Sequence, residues 1–336
     1  MENPDTNDSV AAHPVSAAAD YRALREGAGA IALGERTVVR VTGDDRVSFL
    51  HGMSSNDIKA ARAGAIVPAL FLSEHAHLIA DFFAWIESDA ILVEIDSVLW
   101  TRARAHLEKL LVADDVEFEE LSSIAVIDIE GPRAAEAARA LSGAEAAALG
   151  EWKFIRAAGF SVGNLPRLGS GAFTILAPAE QAGAILSRIT SLGADFRAVS
   201  AAALEIIRIE NGLALAGVDT GDKTIALEAR LDRAISTSKG CYVGQETIER
   251  ATARGGLRKR LFGLRIEGAR APEPGASAML AGKEVGRVTS VARSPSLGVI
   301  GLAILHHSAW DGAAALSIAD PAGEIAARVC EIPFRQ

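Results

Sequence analysis

The chain changes character at Arg254-Gly255-Gly256, and that break limits the folds open to it. Beyond it the runs RLFGLRIEG, GKEVGRVTSV, GVIGLAIL, ALSIAD and AARVCEI are short, β-like and separated by Gly and Pro. They predict a separate all-β unit over 254–336, a small barrel or sandwich. Ahead of the break, helix-period and strand-period segments are mixed. With 336 residues the chain exceeds one ordinary core, so two or three domains are expected. The expected class is α+β: a mixed region over 21–253, the β unit over 254–336, and a flexible polar tail over 1–20.

Within the mixed region, Tyr21–Gly27 reads as a short helix and TVVRVTGDD as a strand entering a turn. A helix starts at Arg46, capped by Asp44 or Asp45, and breaks at Ser54-Ser55-Asn56-Asp57. Ile66–Ser73, His77–Ile86 and Ala90–Ile95 have the spacing of an antiparallel meander. Ser97 opens a helix to about Val112. Ser123–Glu130 (SIAVIDIE) is a strand, and Gly131-Pro132 opens an Ala-rich helix to about Leu149. FIRAAGFSV and GAFTILA read as strands. Ala179–Leu192 and Ser200–Asn211 read as helices, the second with Leu204 and Ile207 on its apolar face. That pattern does not require Arg208 or Glu210 to be buried.

The formal net charge of −9 lacks the basic footprint of a duplex-binding protein, so nucleic acid is not the expected partner. The two cysteines, Cys241 and Cys330, form no CxxC pair, which fits a reducing compartment. The N-terminal stretch has neither the basic nor the apolar region of a secretory signal. No run approaches the ~18 apolar residues of a membrane span. A soluble, cytoplasmic protein is the expectation.

The segment Lys239-Gly240-Cys241-Tyr242-Val243-Gly244-Gln245-Glu246 is the densest in chemistry. A lysine near a cysteine stabilises the nucleophilic thiolate. Glycines allow left-handed turns and close approach to a ligand. Gln245 and Glu246 can hold a polar ligand. Residue types alone favour a plainer reading, a Gly-rich turn around a small buried thiol. Arg250, Arg254, Arg258, Lys259 and Arg260 make a basic stretch that is either a solvated strand or an attractor for an anionic ligand. His75, His77, His106, His306 and His307 complete no recognised metal spacing, so no metal is expected. No phosphate-binding loop of the G-x-x-x-x-G-K-[ST] type occurs.

KGCYVGQE resembles the K-G-C-[FY]-x-G-Q-E signature of YgfZ-type proteins, folate-binding relatives of the glycine-cleavage T-protein. FLHGMSSNDI is similar to the family's F-L-Q-G-x-x-T-N-D segment, with His51 for Gln and Ser55 for Thr, while Asn56 and Asp57 match. IRIENGLALAGVD and ALEARLDRAI resemble R-I-E-x-G-x-x-x-x-G-x-D and P-x-E-A; Arg208, Glu210, Gly212, Asp219 and Glu228 match, and Ala226 replaces Pro. HLIADFFAW is similar to a stretch with paired aspartates, of which Asp81 matches the second and Ala80 replaces the first. The resemblance runs from about Val41 to Phe334.

It implies two interleaved mixed α/β folate-binding domains in a ring-like arrangement plus a C-terminal β-barrel. It implies tetrahydrofolate or a derivative as cofactor, held among Asp81, Glu210 and Glu228. The further binding residues implied are Asn56, Arg208, Lys239, Gly240, Tyr242, Gly244, Gln245, Glu246 and Arg254. Cys241 and Asp81 are the implied catalytic pair. The role implied is an accessory one in iron–sulfur cluster assembly or repair, with client or assembly proteins as partners. Two alternatives stand beside it: a tetrahydrofolate-dependent one-carbon transferase, and a non-catalytic partner-binding scaffold.

Overall fold

The computed structural model describes residues 14–157, 159–169, 171–253, 256–311 and 315–335. In chain order, α1 (Pro14–Glu26) leads through β1 (Ala28–Ala32), β2 (Arg36–Thr42) and α2 (Arg46–Met53) to the meander β3 (Ile66–Leu72), β4 (Leu78–Ile86) and β5 (Ile91–Asp96). After α3 (Ser97–Leu110) come β6 (Glu117–Glu120), β7 (Ile124–Glu130), α4 (Ala134–Ser142), α5 (Ala144–Ala147), β8 (Lys153–Ala157), β9 (Phe160–Asn164), β10 (Phe173–Pro178), α6 (Ala182–Thr190) and β11 (Phe196–Ala198). The mixed region closes with α7 (Ala201–Glu210) and α8 (Gln245–Ala253).

Part of the expected tail is helical. α1 begins at Pro14, and Asp20 on it is buried, accepting from Arg197 Nε at 2.7 Å and Ser200 N at 3.0 Å. Residues 1–13 lie outside the described residues, as does the expected boundary at Arg254-Gly255.

Two sheets form, with orders β11-β1-β7-β10-β9-β8 and β3-β4-β5-β2-β6. The first takes β1 from the start of the chain and the rest from after β6, so the two subdomains interleave in sequence. They stack face to face. Val38, Phe83, Trp85 and Leu92 of the second sheet meet Val126, Phe154 and Leu176 of the first. Alternate residues of each sheet face its own helices. Val39, Phe82, Val93 and Ile95 pack on α2, α3 and the 226–248 segment. Ile127, Ile129 and Ile175 pack on α4 and α6. Period-two alternation thus buries both faces of β4 and β7.

Some local expectations shift. The Ala-rich helix breaks in two at Gly143, whose φ of +92° is left-handed. Neither Asp44 nor Asp45 caps α2 with its side chain; Asp45 Oδ2 instead accepts from Asp115 N at 3.0 Å. Strands β1, β6 and β11 are short and were not foreseen.

The C-terminal unit is a closed six-stranded barrel of β12 (Lys259–Ile266), β13 (Ser277–Leu280), β14 (Lys283–Ser294), β15 (Gly298–His306), β16 (Ala315–Ala319) and β17 (Ile325–Cys330), in the order β12-β15-β14-β13-β16-β17. It has its own core and docks Leu261, Ile300, Leu302 and Phe334 against Ile209 of α7. That docking buries Arg208 and Glu210, which the apolar pattern of α7 in isolation does not require. Among the described residues no helix is long and apolar enough to cross a membrane.

Candidate functional site

The Cys241 loop is clasped to the end of α2. Helix C-termini leave carbonyls without partners and carry partial negative charge. Lys239 Nζ answers this by donating to Ser54 O at 2.6 Å, Asn56 O at 3.1 Å and, closer still, His51 O. Burial pulls the Lys239 ammonium down to about 8, Asp57 opposes that shift, and the three carbonyls favour the charged form. The Tyr242 ring lies 4.9 Å from the ammonium and is itself buried in the core beneath α2. Ser55 adds two bonds: its Oγ donates to Ala234 O at 2.6 Å, and its carbonyl accepts from Ser236 N at 2.9 Å. Val243 N donates to Gly52 O at 3.3 Å. Two of the segments that take part in the family resemblance, 51–57 and 233–243, are therefore one unit.

Within that unit the motif residues have separate tasks. Gly244 has φ +87°, and a Cβ there would lie 2.6 Å from Ser73 O, so only glycine fits. A Cβ on Gly240 would meet nothing within 4 Å. Gln245 Oε1 accepts from Tyr242 N at 3.3 Å while its Nε2 donates to Glu249 at 2.6 Å. Glu246 is exposed and pairs with Arg250 on α8. Asn56 is consumed locally: Nδ2 donates to Pro68 O at 2.7 Å and Oδ1 accepts from Asp57 N at 2.9 Å. Arg254 lies outside the described residues.

Cys241 itself is exposed. The reading of a small buried thiol fails for it and fits Cys330 instead, where burial pushes the thiol up. Among the described residues no hydrogen bond joins Lys239 to Cys241; the ammonium serves the loop rather than the sulfur.

The three carboxylates expected around one ligand have three sets of neighbours. Glu210 is buried at the junction of α1, α7 and the barrel, bonded by Tyr21 Oη at 3.0 Å, by Arg25 and by Ser294 Oγ. Glu228 borders a cleft of about 580 Å³ with Lys223, Lys259, Arg287 and Thr289, accepts from Ile225 N at 3.1 Å, and is raised by burial. Arg208 ties α7 to the barrel through Asp219 at 2.6 Å and Ser290 Oγ at 2.7 Å.

Asp81 alone keeps its carboxylate free of hydrogen bonds among the described residues. It stands on β4, on the face shared with Phe83 and Trp85, and is partly open. Its charge is felt by Arg233. Arg233 is solvent-exposed, yet enough protein surrounds it for burial to lower its guanidinium, with Asp81 opposing. Asp81, Arg233 and the Trp152 ring make up one partly open site, the Asp81 recess. The Arg233 guanidinium lies 6.0 Å from the Trp152 ring, which stacks on Phe83 at 6.2 Å. Trp152 has φ +63°, a strained conformation for a bulky residue, and is held there by Ile66 N and Asn164 O at 2.8 Å each.

Behind Asp81 the inter-sheet layer turns ionic, which the sequence reading missed. Glu94 accepts from Arg36 Nε at 3.0 Å and Arg167 Nη2 at 2.7 Å. Asp128 accepts from Thr174 Oγ1 at 2.7 Å and lies 3.4 Å from Arg167 Nε. Glu130 accepts from Leu168 N at 3.0 Å. Both guanidiniums pack on Phe83, at 5.7 and 5.0 Å. The available signal was a carboxylate inside an otherwise apolar strand, Glu94 in ILVEID and Asp128 with Glu130 in IAVIDIE. A cleft of about 850 Å³ opens elsewhere between the sheet edges and is lined by none of the expected site residues. Among the described residues no three His, Cys, Asp or Glu side chains are placed to hold a metal.

Two stacked sheets flanked by helices, with a closed barrel locked onto α7, make a three-part α+β protein of aminomethyltransferase-like fold. The chain superposes on the crystal structure of the glycine cleavage system aminomethyltransferase T from Bartonella henselae with a TM-score of 0.85, over 96% of this chain and 90% of that one, at 20% identity. Residues 8–239 match the GCVT N-terminal domain and 259–335 the glycine cleavage T-protein C-terminal barrel domain, so the chain belongs to the glycine-cleavage T-protein family. A putative chloroplastic transferase of Arabidopsis thaliana is 30% identical over 262 residues, covering 75% of this chain but only 59% of the plant protein. The aminomethyltransferase of Rubrobacter xylanophilus is 26% identical over 323 residues, covering 94% and 85%. Aminomethyltransferases of this family use tetrahydrofolate.

Proposed function

We propose that this chain is a cytoplasmic, tetrahydrofolate-binding protein of the YgfZ type that supports iron–sulfur cluster assembly or repair through Cys241. The observation that carries the reading is the exposed Cys241 on a loop fixed by three Lys239 bonds. A thiol that must meet a partner or a cluster has to be reachable and held still, and this one is both.

The recess fits a folate by its chemistry. A pterin offers several N–H donors to one carboxylate, and the Asp81 carboxylate has no protein donor among the described residues. A folate's glutamate tail is anionic, and Arg233 is an accessible cation. Trp152 offers an aromatic face beside it. Tetrahydrofolate, when bound, supplies a carrier for one-carbon units. Asp81 would orient it and hold or release a proton beside it, Arg233 would anchor its anionic end, and Trp152 would exclude water from its ring.

Two measurements test this. Calorimetry should detect tetrahydrofolate binding, weakened about tenfold or more in Asp81→Asn; absence of heat at high ligand concentration would favour a scaffold. In cells, Cys241→Ala should lower the activities of iron–sulfur enzymes, and unchanged activities would remove the thiol from the proposal.

A second reading, a one-carbon transferase, draws support from the aminomethyltransferase relatives and from the unbonded Asp81. It requires methylenetetrahydrofolate to form from glycine-type donors, with Asp81→Asn inactive.

A further inference from the structure

We propose that Asp128 and Glu130 form a carboxyl pair sharing one proton, and that this proton sets the charge of the Asp81–Arg233 recess. Its final step, an effect on ligand binding, rests on the folate reading; the pair itself rests on packing alone.

Asp128 and Glu130 are two apart on β7 and face the second sheet together. Both are buried, 1% and 5% exposed. The charged and polar groups around them come from every neighbouring element: Glu94 from β5, Arg36 from β2, Arg167 from the 165–169 segment, Thr174 from β10, Asp81 from β4 and Arg233 from the Asp232–Ala234 turn. The charges of α1 and α7 nearby are already closed into pairs, Arg25 with Glu210, and Arg208 with Glu205 and Asp219. The layer therefore holds four carboxyls, Asp81, Glu94, Asp128 and Glu130, against three guanidiniums. One negative charge is in excess. An unpaired carboxylate in such a place is costly, and a proton removes the cost.

The hydrogen bonds say where the proton sits. Glu94 is claimed by two guanidiniums. Asp128 has a hydroxyl and Arg167. Glu130 has one backbone N–H and contact with Asp128. Two carboxylates bond only if one is protonated. Asp128 Oδ2 is buried and lacks a donor among the described residues. A proton on the second oxygen of Glu130 supplies that donor. The electrostatics agree: burial, and then the charge of Asp128, push Glu130 well above the carboxylate range.

Arg233 feels both Asp81 and Glu130. While Glu130 is neutral, Asp81 is the carboxylate that acts on Arg233, whose guanidinium also donates to Pro166 O at 3.2 Å and Arg167 O at 3.5 Å, and its positive charge is available to an anionic ligand. When Glu130 gives its proton to water, the recess becomes more negative, and an anion is held less well.

The test begins on the unaltered protein with carbon-13 labelled carboxyls, titrated from about pH 5 to about pH 9. One buried glutamate should carry a protonated carboxyl near neutrality, assigned by its loss in Glu130→Gln, and Asp81 should respond as it titrates. A fully ionised set of glutamates at neutral pH overturns the pair. An Asp81 signal indifferent to the Glu130 titration overturns the coupling. Glu130→Gln keeps the acceptor for Leu168 N and offers an N–H to Asp128, so it imitates the protonated state. A raised carboxyl contributes stability that is full below its ordinary value of 4.5 and lost as pH rises through the raised one. Relative to Glu130→Gln, the wild-type melting temperature should therefore fall by several degrees across that range; parallel profiles overturn the pair. Tetrahydrofolate affinity should weaken several-fold with rising pH in the wild type and stay level in Glu130→Gln. Equal weakening in both overturns the effect on binding. Absence of binding at every pH refutes the folate reading, and the carboxyl signals still decide the pair.

Discussion

At the scale of single residues, Lys239 and Glu94 do opposite jobs with the same means. Lys239 brings a cation to the carbonyls of His51, Ser54 and Asn56, so Lys239→Met removes three bonds and should cost about 2–3 kcal/mol in urea unfolding. The same variant should loosen the 239–244 loop, seen as faster proteolysis there. Glu94 brings an anion to Arg36 and Arg167. Burial alone would raise its carboxyl, but Arg167 and then Arg36 outweigh burial and hold it below the ordinary value. A lowered carboxyl contributes stability above its unfolded value and loses it as pH falls through the folded one. Glu94→Gln leaves two buried guanidiniums facing each other and should cost about 3–5 kcal/mol at neutral pH. The cost should shrink in acid, as a melting series on both proteins will show.

Among the elements, α3 has a side-chain cap that the sequence reading did not single out, and α2 lacks the one it expected. Asp96 ends β5 in extended conformation and accepts from Val98 N at 2.9 Å and Leu99 N at 3.0 Å. Asp96→Ala should cost about 1 kcal/mol in denaturant unfolding. Asp44 and Asp45 stand in the equivalent place before α2, yet the Asp45 carboxylate turns to Asp115 N. A partner some seventy positions away (roughly, in a chain of this length) competes with the local cap, and only the folded chain brings it near. The meander, the barrel strands and the main helices were all readable because each has a clear period bounded by turn residues. β1, β6 and β11 have three to five residues each and no such period.

At the scale of the whole molecule the two stacked sheets set the tolerance for change. Gly163 on β9 lies directly against the other sheet: a Cβ there would lie 2.6 Å from Ile66 Cδ1 and 2.7 Å from Trp85. Gly163→Ala should cost about 1–3 kcal/mol by overpacking, measured as a lowered unfolding midpoint. Because that contact also positions β4, the variant should weaken any ligand of the Asp81 recess.

The sequence by itself determined most of the elements, the separate β unit after the glycine pair and, through segments spread from Val41 to Phe334, the resemblance to the glycine-cleavage T-protein superfamily. It could not say what lies opposite each face of a strand. IAVIDIE announces that Asp128 and Glu130 share a face, and alternation alone assigns that face to water. Only the stacking of a second sheet made it an interior, and only the docking of the barrel buried Arg208 and Glu210. Alternation is a property of one strand, whereas burial depends on segments distant in sequence, and the charges of those segments decide which carboxyl keeps a proton.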